Sequence, residues 1–183
     1  MQLLEQLDDL ELMKLCQQNN VGGFSELYRR HSKPVFNSIL RLIIDFAQAE
    51  DLLQEVFLTL YQEIMKGKQI EHFGGFSKRV AVNKAISFLR QNKRALVFED
   101  YHENIVEEDT ENEDYFDLRV EEVKKAINSL PDGFKTVINL YLIEDLSQEE
   151  IAELLGISHT TVRTQYHRAK KKILSLLQKE VVR

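Results

Sequence analysis

The sequence predicts an all-α protein: two small helical domains joined by an acidic flexible linker, the C-terminal domain containing a helix-turn-helix. Three observations carry this expectation. Only two prolines and seven glycines interrupt 183 residues, so long stretches can run as helix. Apolar residues recur at three- and four-residue spacing in the long segments, the period of an amphipathic helix. Residues 96–118 (LVFEDYHENIVEEDTENEDYFDL) hold ten Asp or Glu and no Lys or Arg, too charged a stretch to build a core.

Residues 1–20 form an N-terminal extension with a short amphipathic pattern (Leu7, Leu10, Met13, Leu15) that ends at Asn19-Asn20. Val21-Gly22-Gly23 reads as a turn. A helical run follows over residues 24–45, with Leu27, Val35, Ile39, Leu42 and Ile43 facing inward and a kink or restart expected at Pro34.

The segment AEDLLQEVFLTLYQEIMKG predicts a helix that stops at Gly67. Leu52, Leu53, Val56, Phe57, Leu60, Tyr61 and Ile64 cover one half of its surface. Asp51, Gln54, Glu55 and Gln62 share the other half, with Leu58 among them. Such a leucine is either an ordinary exposed side chain or the apolar anchor of a protein contact ringed by polar groups.

Residues 72–75 (HFGG) read as a glycine loop. FSKRVAVNKAISFLRQNKR then forms a helix that buries Ala81, Val82, Ala85, Ile86, Phe88 and Leu89. Its other side shows Phe76, Arg79, Asn83, Ser87 and Arg90, flanked by Lys84, Lys93 and Arg94. An aromatic ring, an amide and several cations on one face suit a single-stranded nucleic acid. The same pattern also fits a solvated face with Phe76 packed on the loop.

Beyond the linker the helical pattern resumes near Arg119 (Val120, Val123, Ala126, Ile127, Leu130) and ends at Pro131-Asp132-Gly133. A helix over residues 134–143 leads into SQEEIAELLGISHTTVRTQYHRAKKKI, residues 147–173. Ser147 and Glu150 have the spacing of a capping box, Gly156 suits a helix C-cap, and Ser158 can cap the next helix. In that second helix Val162, Tyr166, Ala169 and Ile173 fall on one stripe. Thr160, Arg163, Thr164, His167, Arg168 and Lys171 fan out opposite, as donors able to reach base edges or phosphates in a major groove. A basic face alone would describe a solvated hairpin; cap, glycine turn, core stripe and donor face together point to DNA binding.

The net charge of −6 does not oppose this, because taking the ten linker carboxylates away leaves +4 for the remaining residues. Local charge is what a phosphate backbone feels. The lone cysteine, Cys16, excludes an internal disulfide and a multi-cysteine metal site, and it reads as a buried, inert thiol. The five histidines lack metal spacing, and no phosphate loop, nucleophile elbow or paired-carboxylate motif stands out. The sequence therefore predicts no catalytic residue, no metal, no cofactor and no small-molecule substrate. With no basic start before an apolar run, and no eighteen consecutive apolar residues, it predicts a soluble, cytoplasmic protein.

In order along the chain, these stretches resemble bacterial RNA polymerase sigma factors of the extracytoplasmic-function (ECF) type, within the sigma-70 family. FSELYRRHSKPVFNSILRL is similar to the family's first conserved helix and AEDLLQEVFLTLY to its polymerase-binding signature. FSKRVAVNKAISFLRQNKR resembles the helix that opens and reads the −10 element. LPDGFKTVINLYLIEDLSQEEIAELLGISHTTVRTQYHRAKKKI is similar to the −35-reading domain. The resemblance implies region 2 over residues 21–95, the linker over 96–118 and region 4 over 119–183. It implies partners: core RNA polymerase (the β′ clamp helices and the β flap), promoter DNA and an anti-sigma factor.

It also assigns roles. Asp51, Gln54, Glu55 and Leu58 become the contact with the clamp helices. Phe76, Arg79, Asn83, Ser87 and Arg90 become the −10 face, and Arg163, Thr164, His167 and Arg168 match positions facing −35 DNA. Thr161 would sit near a phosphate at a helix N-terminus. The chain departs from the family pattern at Phe76 (commonly Trp), Ser77 (commonly Leu), Lys135 (commonly Arg) and Gln165 (commonly basic), and in a loop at residues 72–75 that reads as shorter than in many relatives. A competing reading is a helix-turn-helix transcriptional regulator with an N-terminal helical sensor domain, which would bind DNA tightly without polymerase.

Overall fold

The computed structural model describes residues 4–43, 45–91 and 120–181. The chain divides into two compact units, with the boundary between Arg94 and Ala95. The described residues are helical, without strands. The predicted acidic linker, with Lys93 and Arg94, lies outside the described residues.

The first unit begins with a 3₁₀ turn, Leu4–Gln6, and continues through α1 (Asp9–Gln17), α2 (Val21–Leu40), α3 (Phe46–Met65) and α4 (Phe73–Gln91). Each of the first three α-helices starts at a side chain that takes up a free amide. Asp8 and Glu11 form a reciprocal capping box on α1, Asn20 accepts from Gly22 N, and Asp45 accepts from Gln48 N. α1 and α3 end before residues in the left-handed region, Asn19 (φ 62°) and Gly67 (φ 79°). Leu12, Leu27, Ile39, Val56, Leu60, Ile64, Phe73, Ala81 and Ile86 form the buried interior between these helices.

Three local expectations change, and the alternatives at Pro34 are narrowed. The capping box fixes the start of α1, so Leu12, Met13 and Cys16 point inward while Leu10 stays 47% exposed. Residues 21–23 are the first turn of α2 rather than a separate turn, because Asn20 caps them. Pro34 lies within α2 without a restart, on its exposed side, where a carbonyl deprived of its amide partner can meet water. Residues 73–75 belong to α4, so the connection from α3 is residues 66–72 and the expected glycine loop is absent.

The second unit contains α5 (Val120–Asn128), α6 (Asp132–Leu142), α7 (Gln148–Leu155) and α8 (His159–Val181). α8 is its spine and packs against the other three. Ala126, Ile127, Leu130, Ile138, Ala169, Ile173 and Leu177 form one buried cluster, with Val123, Phe134, Tyr166 and Leu176 around it. Ile173 and Leu177 thus serve the core of this unit.

Between α7 and α8 the local chemistry is as read from sequence. The capping box of Ser147 and Glu150 is formed, and Gly156 adopts φ 68°. Gly156 N and Ile157 N both donate to the Ala152 carbonyl, at 2.9 and 3.1 Å. Ser158 Oγ accepts from Thr161 N at 3.0 Å and so starts α8.

Candidate polymerase and nucleic-acid interfaces

Three polar faces emerge from these helices, two in the first unit and one in the second. On α3, Asp51, Gln54, Glu55 and Leu58 lie at spacings that place them on one strip. All four are exposed, and Leu58 is 59% accessible. A leucine that open amid acids and an amide has left its helix's core face entirely, since Leu52, Val56, Phe57, Leu60 and Ile64 fill that side. Tyr61, expected inside, instead lies at the edge, where its ring meets Phe24 edge-on with centroids 5.0 Å apart.

On α4, Arg79, Asn83, Ser87 and Arg90 are exposed and follow one another at three- and four-residue steps. Phe76 is half-buried at the head of the strip. The Lys68 ammonium stands 4.6 Å above its ring, a cation–π contact. Lys68 also pairs with Glu63 at 3.1 Å, as does Lys66. Hydrogen bonds from Lys66 and Lys68 hold the Glu63 carboxyl below its ordinary range. Ser77 is fully buried and its hydroxyl donates to the Gly74 carbonyl at 2.9 Å, which satisfies the polar atom where the family pattern carries leucine.

On α8, Thr160, Arg163, His167 and Lys171 are exposed along one strip, while Thr161 and Arg168 are half-buried at its margins. Thr164 does not join them. It is buried, and its hydroxyl donates to the Thr160 carbonyl at 2.9 Å. The expectation of a base-facing Thr164 is therefore corrected: the covered side of α8 is broader than a single stripe because α5, α6 and α7 all pack on this helix. Gln165 is 2% exposed, and its Oε1 accepts no hydrogen bond among the described residues.

The sequence pattern gave no signal for a groove beside this strip. It has a volume of about 740 Å³ and is lined by Tyr141, Leu142, Leu146, His159 and Arg163 among others. His159 Nε2 lies 3.3 Å from Glu149 Oε1, tying the first turn of α8 to α7. Leu142, which lines the groove, is exposed at the end of α6. Among the described residues no cluster of His, Cys, Asp or Glu is arranged to hold a metal ion. No described helix is long and apolar enough to cross a membrane.

The model of sigma-70 region 2 matches residues 27–95, and the model of sigma-70 region 4 matches residues 120–173. The chain belongs to the sigma-70 family. Region 2 begins inside α2 and takes in the α3 and α4 faces; region 4 runs from α5 into α8. The 3₁₀ turn and α1 precede the matched segment, yet they pack on α2 as part of the same unit.

Curated relatives make it a sigma factor of the ECF type. The chain is 31% identical to the ECF RNA polymerase sigma factor SigE of Mycolicibacterium smegmatis, over 86% of this chain and 62% of that protein. It thus spans under two thirds of that relative's length. It is 29% identical to the ECF RNA polymerase sigma-E factor of Haemophilus influenzae, over 96% of this chain and 98% of that one. Two solved structures share the fold at 20% identity and a TM-score of 0.52. One is the sigma factor RpoE of Bartonella quintana, in complex with the anti-sigma factor NepR, covering 86% of this sigma factor and 98% of that chain. The other is CnrH in complex with the cytosolic domain of CnrY, covering 93% and 97%.

Proposed function

We propose that this sigma factor directs promoter-specific initiation by a division of labour among its three exposed faces. Asp51, Gln54, Glu55 and Leu58 dock on the β′ clamp helices of core RNA polymerase, with Leu58 as the apolar anchor. Phe76, Arg79, Asn83, Ser87 and Arg90 hold the melted −10 strand, and Thr160, Arg163, His167, Arg168 and Lys171 meet duplex −35 DNA, with Thr161 at a phosphate. Thr164 is withdrawn from that set, since its hydroxyl is spent inside the helix. Region 4 also meets the β flap, and the acidic linker follows a positively charged channel of the polymerase by charge mimicry of a nucleic-acid backbone.

The observation that carries the proposal is the occurrence of region 2 and region 4 in one chain, in that order. A self-sufficient regulator with a sensor domain does not account for region 2, and that reading is not favoured. Bond making belongs to the polymerase; this chain works in the cytoplasm as a binding subunit without catalytic residues or cofactor. An anti-sigma factor that covers the polymerase-binding faces completes the set of partners, by analogy with the Bartonella relative, which was crystallised with one.

The test is run-off transcription by sigma-free core polymerase on promoters cut from the source genome. The wild-type protein yields specific transcripts. Leu58→Asp abolishes both core binding and transcripts. Arg163→Ala keeps core binding but loses −35-dependent output by roughly five- to a hundredfold, the range of one good base or phosphate contact. Absence of core binding by the wild-type protein, with tight specific binding to duplex DNA alone, would reverse the assignment.

A further inference from the structure

The proposed docking face on α3 and strand face on α4 are bridged by an ion pair, Lys84 Nζ to Glu55 Oε2 at 3.3 Å. We infer that Lys84 is a strand-binding cation which Glu55 holds in check until core polymerase engages the α3 face. The inference rests on the proposed docking and strand-binding roles of those two faces.

Glu55 belongs to the docking strip, one turn from Asp51 and three residues from Leu58. Lys84 follows Asn83 directly and precedes Ser87 by three residues, so its ammonium lies within side-chain reach of a backbone drawn along the α4 strip. Accessibility is unequal in a way that matters. The Glu55 side chain is 61% exposed and the Lys84 side chain 30%. An incoming protein surface can reach the carboxylate directly, whereas a phosphate approaching the ammonium meets the carboxylate's charge beside it. In the free protein Lys84 is therefore electrostatically answered.

A pair this open is weak and exchanges readily, which is what a switch requires; a deeply buried pair would hold both groups permanently. A polymerase donor that takes Glu55 releases Lys84 to a phosphate. By linkage, a phosphate that takes Lys84 releases Glu55 to the polymerase by the same factor. The pair thereby ties strand capture to polymerase docking and disfavours capture by the free protein.

The experiment measures binding of the full-length protein, at low salt, to a fluorescent single-stranded oligonucleotide of random sequence, about 12 nucleotides long. Glu55→Gln is expected to tighten strand binding by the free protein about two- to fivefold, and Lys84→Gln to weaken it. The gain from Glu55→Gln should vanish in the Lys84→Gln background. With core polymerase at concentrations that saturate both proteins, strand binding should tighten more for wild type than for Glu55→Gln. Glu50→Gln, which removes an exposed carboxylate on a different side of the same helix from Glu55, reports the general field effect.

Independent, additive effects of Glu55→Gln and Lys84→Gln would overturn the inference. So would a gain from Glu50→Gln equal to that from Glu55→Gln, or no strand binding by either wild type or Glu55→Gln. Failure of the wild-type protein to bind core polymerase is a different result: it removes the sigma-type docking role itself, whatever the strand measurements give.

Discussion

At the residue scale the polar groups under cover are the most informative. Glu26 sits on α2 with its side chain almost wholly covered, and accepts from Arg29 Nε at 2.7 Å and from Arg30 Nε at 2.7 Å. Arg30 also donates to the Leu4, Glu5 and Leu7 carbonyls, so the same guanidinium ties the N-terminal turn to α2. Hydrogen bonds from Arg29 and then Arg30 lower the Glu26 carboxyl from an ordinary 4.5 to about 2. Because the folded value lies below the unfolded one, the stabilisation is complete above the ordinary value and is lost as pH falls from there through about 2. Glu26→Gln should therefore lower the unfolding midpoint at neutral pH and flatten its fall across that acid window. Parallel acid-side curves for the two proteins would mean that Glu26 carries no such linkage. Gln165 gives the opposite sign. Its buried amide oxygen, unanswered among the described residues, costs stability, so Gln165→Met should raise the unfolding midpoint, for a gain in stability of at most roughly 1–3 kcal/mol. Gln165→Lys, which restores the basic residue common in the family, should lower it instead of adding a DNA contact. A lower midpoint for Gln165→Met would show that the oxygen has a partner.

At the scale of elements, glycine marks where sequence pattern and structure part. Gly23 reads as a helix breaker but lies in α2, where a Cβ would stand 2.7 Å from the Leu12 carbonyl oxygen and 3.1 Å from Leu15 Cβ. It is required by the approach of α1, a tertiary cause that a local pattern does not display. Gly23→Ala should push the two helices apart at a cost of about 1–3 kcal/mol, read as a lower denaturation midpoint with faster amide exchange in α1. An unchanged midpoint would mean that α1 yields freely. Gly74 repeats the theme in α4, where a Cβ would meet the His31 ring at 3.3 Å. By contrast α7, its glycine turn and the start of α8 were legible residue by residue, because capping box, left-handed Gly156 and the Ser158 cap are all local. The strips on α3 and α4 were legible for a similar reason: one helix period separates covered from open residues. The position of Thr164 was not legible, since helical periodicity describes packing on one side and α8 is packed by three helices. The register of α1 was lost to the Asp8–Glu11 box, whose D-x-x-E spacing was present in the sequence to be read.

For the whole molecule the decisive quantity is the distribution of charge. A chain of net −6 carries ten carboxylates within residues 96–118, and the remaining residues sum to +4. Replacing those ten by Asn and Gln reverses the net charge without touching the three proposed faces. Binding to non-specific duplex DNA should then rise, because counterion release is no longer opposed by a nearby polyanion, and the gain should fade as salt shortens the screening length. Transcription should move the other way. If the linker follows a positively charged channel of the polymerase, its neutral version loses that attraction, so core-dependent initiation falls while docking through Leu58 persists. Stronger DNA binding together with weaker initiation is the expected pair. Stronger DNA binding with unchanged initiation would assign the linker only to charge balance, restraining the chain from DNA that no polymerase accompanies.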